Sequence, residues 1–177
     1  MPRVIGLVRF VGLMNAAIWF GAAFFFTFSA DPASRSQAMG DLLQQNFPYF
    51  SVAIGEVITA RYFHLFAACS VVALLHLVAE WLYFGKYPQR LWLGLVFGLC
   101  FGGLLQLYAI QPRLKELHRL QFGRPNQREA AARHFANWRR VSWAMNVLLV
   151  SGLGIYLWRV ANPATPMRFV SASKFRS

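Results

Sequence analysis

The sequence predicts an all-α integral membrane protein, an antiparallel bundle of four spanning helices in which helices 3 and 4 continue into an extramembrane hairpin. Composition is the first reason: of 177 residues, 57% are hydrophobic and 14% are charged, whereas soluble domains have about 45–50% and about 25%. The second is four apolar runs, each long enough to cross a bilayer as a helix. The third is a helical periodicity that continues beyond two of these runs.

The third apolar run, residues 91–111, is the clearest membrane span. It contains no charged residue, and as a helix it would extend roughly 30 Å, the thickness of the hydrocarbon core. Gly94, Gly98 and Gly102 recur in it at every fourth position, so they share one helical face. In lipid, such a GxxxG face lets another helix approach closely. We therefore predict that these glycines form a helix-packing surface.

The remaining spans follow from the same reasoning within one domain, 1–177. The predicted spans are 10–30, 62–84, 91–111 and 141–159. The first span is longer than the apolar core of a cleavable signal peptide, and aromatic residues crowd its far end, so we interpret it as retained. Asp31-Pro32 is typical of a helix start. We expect the extramembrane segment 31–61 to form short helical pieces at the membrane surface between Ala33 and Val57.

Helices 3 and 4 are predicted to project from the membrane through segment 112–140. Leucines continue the helical periodicity from Pro112 to Gly123, and Asn126 with Glu129 is similar to a capping box that starts the last helix. The inner seam of this hairpin is predicted to contain Leu114, Leu117, Phe135 and Trp138. The tail, 161–177, lacks periodicity and is expected to be irregular.

The net charge of +12 would indicate a nucleic-acid partner in a soluble protein. Here no basic stretch is interleaved with aromatics as in a nucleic-acid-binding module, and lysines and arginines that flank spans meet anionic headgroups. We therefore expect contact with the lipid bilayer and no nucleic acid. Four spans place both termini on one face, and the Lys/Arg distribution favours the cytoplasmic side of a bacterial inner membrane for that face.

Polar residues within spans are costly in lipid, so each predicts a partner or a function. Asn15 and Glu80 lie at similar depth in antiparallel helices, as do Gln106 and Asn146. Each pair is expected to form a hydrogen bond between helices, worth about 0.6 kcal/mol. The functional alternative is a polar path across the bundle.

His76 is the residue within a span that could bind a cofactor. It precedes Glu80 by one helical turn, so a neutral histidine bonded to Glu80 is the structural interpretation. The alternative is an axial ligand of haem or chlorophyll. No other cofactor and no metal is predicted, bound lipids are expected, and Cys69 and Cys100 are interpreted as reduced thiols. His118, in the hairpin, is expected to be solvated or hydrogen-bonded.

Several short motifs together are similar to a known family. They are Trp19-Phe20-Gly21-Ala22 with Asp31-Pro32, then Phe47-Pro48-Tyr49-Phe50, Gln111-Pro112-Arg113, and Phe135 followed by Ser142-Trp143-Ala144-Met145-Asn146. The chain resembles the four-span bacterial domain of unknown function related to the human transmembrane protein linked to cisplatin tolerance, a group loosely allied to copper-resistance protein D-like membrane proteins. The resemblance implies a four-helix membrane fold and no established activity. Arg139 stands where that family usually has histidine, so a metal or haem role of that histidine does not transfer to this chain.

The sequence contains no nucleophile elbow, phosphate-binding loop, zinc motif or paired carboxylates. We therefore predict that the chain is not an enzyme but an accessory or structural subunit that docks on other membrane protein subunits or forms a homo-oligomer. The alternatives are a single-histidine haem or chlorophyll protein of a redox or photosynthetic complex, and, from the resemblance, a metal- or drug-tolerance protein.

Overall fold

A computed structural model describes residues 2–84, 90–123 and 128–162, and its regular elements there are all helical. The α-helices are α1 Pro2–Phe25, α2 Asp31–Ala33, α3 Gln37–Leu43, α4 Phe47–Phe84, α5 Arg90–Leu105, α6 Gln111–Gly123 and α7 Arg128–Ala161. Four continuous helical stretches are long and apolar enough to cross a membrane: Gly6–Ala33, Tyr49–Leu82, Arg90–Phe122 and Arg128–Ala161. The predicted all-α membrane fold is confirmed. The predicted capping residue Asn126 and the tail beyond residue 162 lie outside the described residues.

Two π-helical turns connect helices that the prolines would otherwise interrupt. Phe26–Ala30 precedes Asp31-Pro32, and Gln106–Ile110 precedes Gln111-Pro112. A proline ring collides with the carbonyl four residues earlier in an α-helix. In both places the residue before the proline bonds five residues back, because Asp31 N–H donates to the Phe26 carbonyl and Gln111 N–H donates to the Gln106 carbonyl. The wider turn gives the ring space, so Asp31-Pro32 does not begin a separate helix as the sequence suggested.

The segment before the second span differs from the prediction. Short pieces are present as α3, whose start is capped by the Ser36 side chain accepting from Met39 N–H, and as the 3₁₀ turn Gln44–Asn46. From Phe47 onwards the prediction of short pieces is wrong, because α4 is one helix of 38 residues. Pro48 does not break it, since proline is tolerated in a helix's first turn. At about 1.5 Å per residue α4 is long enough to project beyond the bilayer. The same holds for the third and fourth helical stretches, Arg90–Phe122 and Arg128–Ala161.

The core lies where α1 packs against both α4 and α7. Trp19 of α1 is fully buried, and its ring meets the edges of Phe66 and Tyr156 at centroid distances of 5.0 and 6.0 Å. Large aromatic rings in edge-to-face contact stabilise such a centre beyond the area that they bury. The α6 helix in turn packs along α7, which forms the predicted hairpin.

Glycines bring helices together, but largely at other positions than predicted. Of the predicted face, only Gly102 contacts another helix of the chain, where an added Cβ would lie 2.9 Å from Leu149 Cδ2. Gly94 and Gly98 have open space around them. The closest approach on α5 is instead at Gly103, where a Cβ would overlap the Phe66 ring. Packing by all three predicted glycines within the chain is therefore not confirmed.

Candidate functional site

A pocket of about 470 Å³ lies where the apolar parts of the helices end. Its lining includes Asp31, Thr59, Gln111 and Ser142, which stand within three residues of the predicted ends of the four spans. Both π-helical turns adjoin it, because Phe26 belongs to the first and Gln111 follows the second. Since π-helical turns often occur at functional sites, we take this polar pocket as the candidate site.

A buried polar network fixes one side of the polar pocket. Gln106 Nε2 donates to the Ser142 carbonyl at 2.9 Å and to Asn146 Oδ1 at 3.0 Å, and Ser142 Oγ donates to Gln106 Oε1 at 3.3 Å. The pair expected from depth alone, Gln106 with Asn146, is therefore joined in the structure. Ser142, one turn before Asn146, is a member that the sequence reasoning missed. Because Gln106 is fully buried, the network holds the α5–α6 junction against α7.

Four cationic and two anionic side chains line the polar pocket, namely Arg35, Lys115, Arg139 and Arg140 with Asp31 and Glu56. Both carboxylates are paired, Asp31 with Arg35 and Glu56 with Lys115, the latter at 3.6 Å. Arg139 and Arg140 form no ion pair in the part of the chain that the structure describes.

Arg139 is also within electrostatic range of Arg35 and Asp31, so the Asp31–Arg35 pair and the second cation share one region of the pocket. The excess charge is positive, and guanidinium groups bind phosphate and carboxylate oxygens in a fork geometry. The arrangement therefore favours an anion, and Arg139 and Arg140 are the groups available to hold it.

The polar pocket also has apolar lining residues. They are Phe26, Val52, Leu114, Phe135 and Trp143. Tryptophan is enriched where a membrane meets water, because its ring is amphipathic. The pocket thus offers cations and apolar side chains at one boundary, which suits a ligand with an anionic head and a hydrocarbon part.

An aromatic cluster beside the pocket contains His118, contrary to prediction. His118 is only 5% exposed, stacks on Tyr49 at a centroid distance of 5.5 Å, and meets Phe122 at 5.0 Å and Phe135 at 6.1 Å. Neither ring nitrogen has a hydrogen-bond partner among the described residues. The prediction of a solvated or bonded His118 is wrong because α4 starts at Phe47 and carries Tyr49 over α6.

The predicted hairpin seam is only partly buried. Leu114, Leu117 and Phe135 are half-buried, whereas Trp138 is 36% exposed. His118 and Ala131 are the buried residues between α6 and α7. The seam therefore includes a histidine, which the sequence reasoning left out because its side chain is polar.

The polar residues of the other half of the bundle are arranged differently from the prediction. Asn15 Nδ2 donates to the Cys69 carbonyl at 3.0 Å rather than to Glu80, although it still joins the first span to the second. His76 is 8% exposed, and its Nε2 has no partner among the described residues. That nitrogen faces the backbone of Gly12, where even a Cβ would overlap the ring. A tetrapyrrole metal at Nε2 would have to displace α1, and the haem or chlorophyll alternative stays a prediction.

The cysteines and other metal-binding side chains are dispersed. Cys69 and Cys100 are free thiols. Within residues 2–84, 90–123 and 128–162, no three His, Cys, Asp or Glu side chains are grouped as metal ligands.

The family model described as "Domain of unknown function (DUF4149)" matches residues 14–123. The match runs from within the first span to the end of α6, so it covers most of the first helical stretch and all of the second and third. No curated protein and no solved structure matches the chain at a significant level. The resemblance to the human transmembrane protein and to copper-resistance proteins stays a prediction.

Proposed function

Since the chain belongs to the DUF4149 family of domains of unknown function, we propose its function from its own geometry: a non-catalytic membrane protein that binds an amphipathic anion in the polar pocket. One observation carries the proposal. Arg139 and Arg140 line the pocket together with apolar side chains, and neither forms an ion pair among the described residues. Each arginine near a membrane surface contributes about 1 kcal/mol toward binding an anionic group.

A binding role fits the pocket better than a catalytic one. Its two carboxylates, Asp31 and Glu56, are held in ion pairs with Arg35 and Lys115. General acid–base catalysis needs a group free to exchange a proton near neutral pH, and no histidine or cysteine is among the lining residues. The pocket is therefore suited to holding an anion rather than to converting it.

Thermal unfolding in a neutral maltoside detergent tests the anion site. Decyl phosphate should raise the melting temperature of the purified protein in a saturable way, since a ligand that binds the folded state stabilises it. The double variant Arg139→Gln/Arg140→Gln should lose this shift. The matched control Arg128→Gln/Arg133→Gln removes two exposed arginines of the same helix that do not line the pocket, and it should keep the shift. Equal shifts in both variants would contradict the proposal.

We also propose that the chain acts as an accessory subunit that docks on a helix of a partner membrane protein. Gly94 and Gly98 favour this second role, because both are open while Gly102 and Gly103 of the same helix are packed within the chain. Phe97 and Phe101 are exposed on α5 and add area for contact in the bilayer. A glycine face that its own chain leaves uncovered allows the close approach that membrane helices need.

Co-purification from native membranes tests the docking role. Gly98→Leu should reduce the recovery of any partner chain, because the side chain would separate the two helices. Gly21→Leu is the matched control, since Gly21 on α1 is also exposed and has nothing within 4 Å. A partner retained equally by both variants, or a strictly monomeric native particle, would count against the role.

A further inference from the structure

A second cavity, the apolar groove, lies between α4 and α5. Its volume is about 200 Å³. Its α4 wall is Phe63, Phe66, Ala67, Ser70, Val71 and Leu74, and its opposite wall is Cys100, Gly103 and Leu104 of α5 with Leu107 of the π-helical turn that follows. Ser70 Oγ donates to the Phe66 carbonyl of its own helix, so the one hydroxyl in the wall is already satisfied. The groove therefore suits a hydrocarbon chain.

The apolar groove continues the polar pocket along the same two walls. On α4 the pocket lining ends at Thr59 and the groove lining begins at Phe63, and positions four apart share a helical face. On the opposite wall the pocket lining ends at Gln111 and the groove lining begins at Leu107. The two cavities thus follow one another from the membrane boundary toward its centre.

The length of the apolar groove matches one leaflet. Phe63 and Leu74 are its outermost lining residues on α4, and their separation in sequence corresponds to about 16 Å of helix. Half of the hydrocarbon core is about 15 Å. A chain that starts at the polar pocket and follows the groove would therefore end near the middle of the bilayer, as a lipid's own acyl chain does.

We propose that the two cavities form one binding site for an anionic phospholipid, with its phosphate at Arg139 and Arg140 and one acyl chain in the apolar groove. This rests on the anion-binding function proposed above and names its ligand class. The carboxylates of Asp31 and Glu56 also face the pocket, but their pairing with Arg35 and Lys115 leaves the second pair of cations for the headgroup. A free phosphate would use the cations and leave the groove unexplained.

Native mass spectrometry of the full chain with added lipids measures the site. Phosphatidylglycerol should bind more tightly than phosphatidylcholine with the same acyl chains. Arg139→Gln/Arg140→Gln should weaken the binding of phosphatidylglycerol by about fivefold for each arginine. The double variant should also lose the preference for phosphatidylglycerol over phosphatidylcholine. Inorganic phosphate at millimolar concentration should not displace the lipid.

Filling the groove tests the acyl chain separately. Ala67→Trp places a large ring in the groove from an exposed lining position, and the adjacent Ala68→Trp is exposed but outside the lining. Ala67→Trp should lose most phosphatidylglycerol binding, whereas Ala68→Trp should keep it. Should Ala67→Trp fail to fold, Val71→Trp in the lining can be compared with the exposed Val78→Trp outside it.

Equal binding of phosphatidylglycerol and phosphatidylcholine, or equal binding by the lining and control variants, would overturn the lipid assignment. Displacement by inorganic phosphate would do the same. In each case a decyl phosphate shift that depends on Arg139 and Arg140 would leave the anion function standing. A decyl phosphate shift that did not depend on Arg139 and Arg140 would overturn both the anion-binding function and the lipid assignment.

Discussion

Gln106 shows how a single polar side chain fixes the arrangement of two helices in lipid. Its amide bonds both Ser142 and Asn146 of α7 from the π-helical turn that joins α5 to α6. Since Gln106 is fully buried, another register of α7 would leave its amide without hydrogen-bond partners, so the bonds specify the register of α7 as well as stabilising it.

Gln106→Ala should therefore lower the free energy of unfolding by about 1–2 kcal/mol, given interhelical bonds of about 0.6 kcal/mol each. Unfolding in mixed micelles, followed by circular dichroism, measures the change. Gln121→Ala on α6 is the control, because Gln121 makes no side-chain hydrogen bond within the described residues. Similar losses in both variants would show that the network contributes nothing specific.

For His118 we predict a substitution that does not destabilise the protein. Its two ring nitrogens are buried without partners among the described residues, surrounded by the rings of Tyr49, Phe122 and Phe135. A buried polar group without a hydrogen bond costs about 1–3 kcal/mol, and phenylalanine has a similar shape. His118→Phe should keep or raise the melting temperature, whereas Phe135→Ala should lower it. A large loss in His118→Phe would mean that the imidazole has a partner beyond the described residues.

At the level of elements, the approach of α5 to α4 depends on one glycine. A Cβ at Gly103 would overlap the ring of Phe66, which itself packs on Trp19 in the core. Gly103→Ala should therefore destabilise the protein by about 1–3 kcal/mol, as overpacked cores do. Gly94→Ala on the same helix should leave stability unchanged, since nothing lies within 4 Å. Chemical unfolding of both variants checks the contrast, and equal effects would contradict the described packing.

The sequence was sufficient for the four spans, because length and apolar content alone determine whether a helix can cross lipid. It was not sufficient at the prolines. Asp31-Pro32 carries the local signal of a helix start, and only the preceding π-helical turn allows the helix to continue. The start of α4 at Phe47 could not be predicted for a similar reason. Pro48 indicates a helix boundary but does not show on which side of it the helix lies.

The candidate site was harder to predict than the fold. Arg139 drew attention only as a residue that differs from the resembling family, and Asp31 only as a helix cap. Neither spacing nor composition indicates that they face one pocket with Glu56, because that follows from how α2, α4, α6 and α7 converge. Gln106 and Asn146 could be paired in advance because the depth of each residue in the membrane can be counted along the sequence from the end of its span.

At the scale of the whole molecule, the placement of the bilayer decides what the polar pocket can meet. Beyond the apolar parts of the helices, α3, the start of α4 and the α6–α7 hairpin lie together at one end of the bundle. The polar pocket lies between that end and the membrane interior, where lipid headgroups are located. A single membrane placement therefore accounts for the charged lining, the apolar groove and the projecting helices.

Labelling of single cysteines tests this placement. In a background carrying Cys69→Ala and Cys100→Ala, cysteines at the exposed positions Gln37 and Arg119 should react with a membrane-impermeant maleimide from one side, and those at Arg90 and Asn162 from the other. The Lys/Arg distribution predicts that the second pair reacts from the cytoplasm.

Reversal of both pairs would change only the orientation, because the antiparallel order of the helices would remain. Reaction of Arg90 and Arg119 positions from the same side would have a deeper consequence. The helical stretch Arg90–Phe122 would then not cross the bilayer, and Arg139 and Arg140 would no longer lie at a boundary between headgroups and hydrocarbon. An anionic phospholipid could not place its phosphate and its acyl chain in the two cavities at once, so this measurement bears on the site as directly as on the fold.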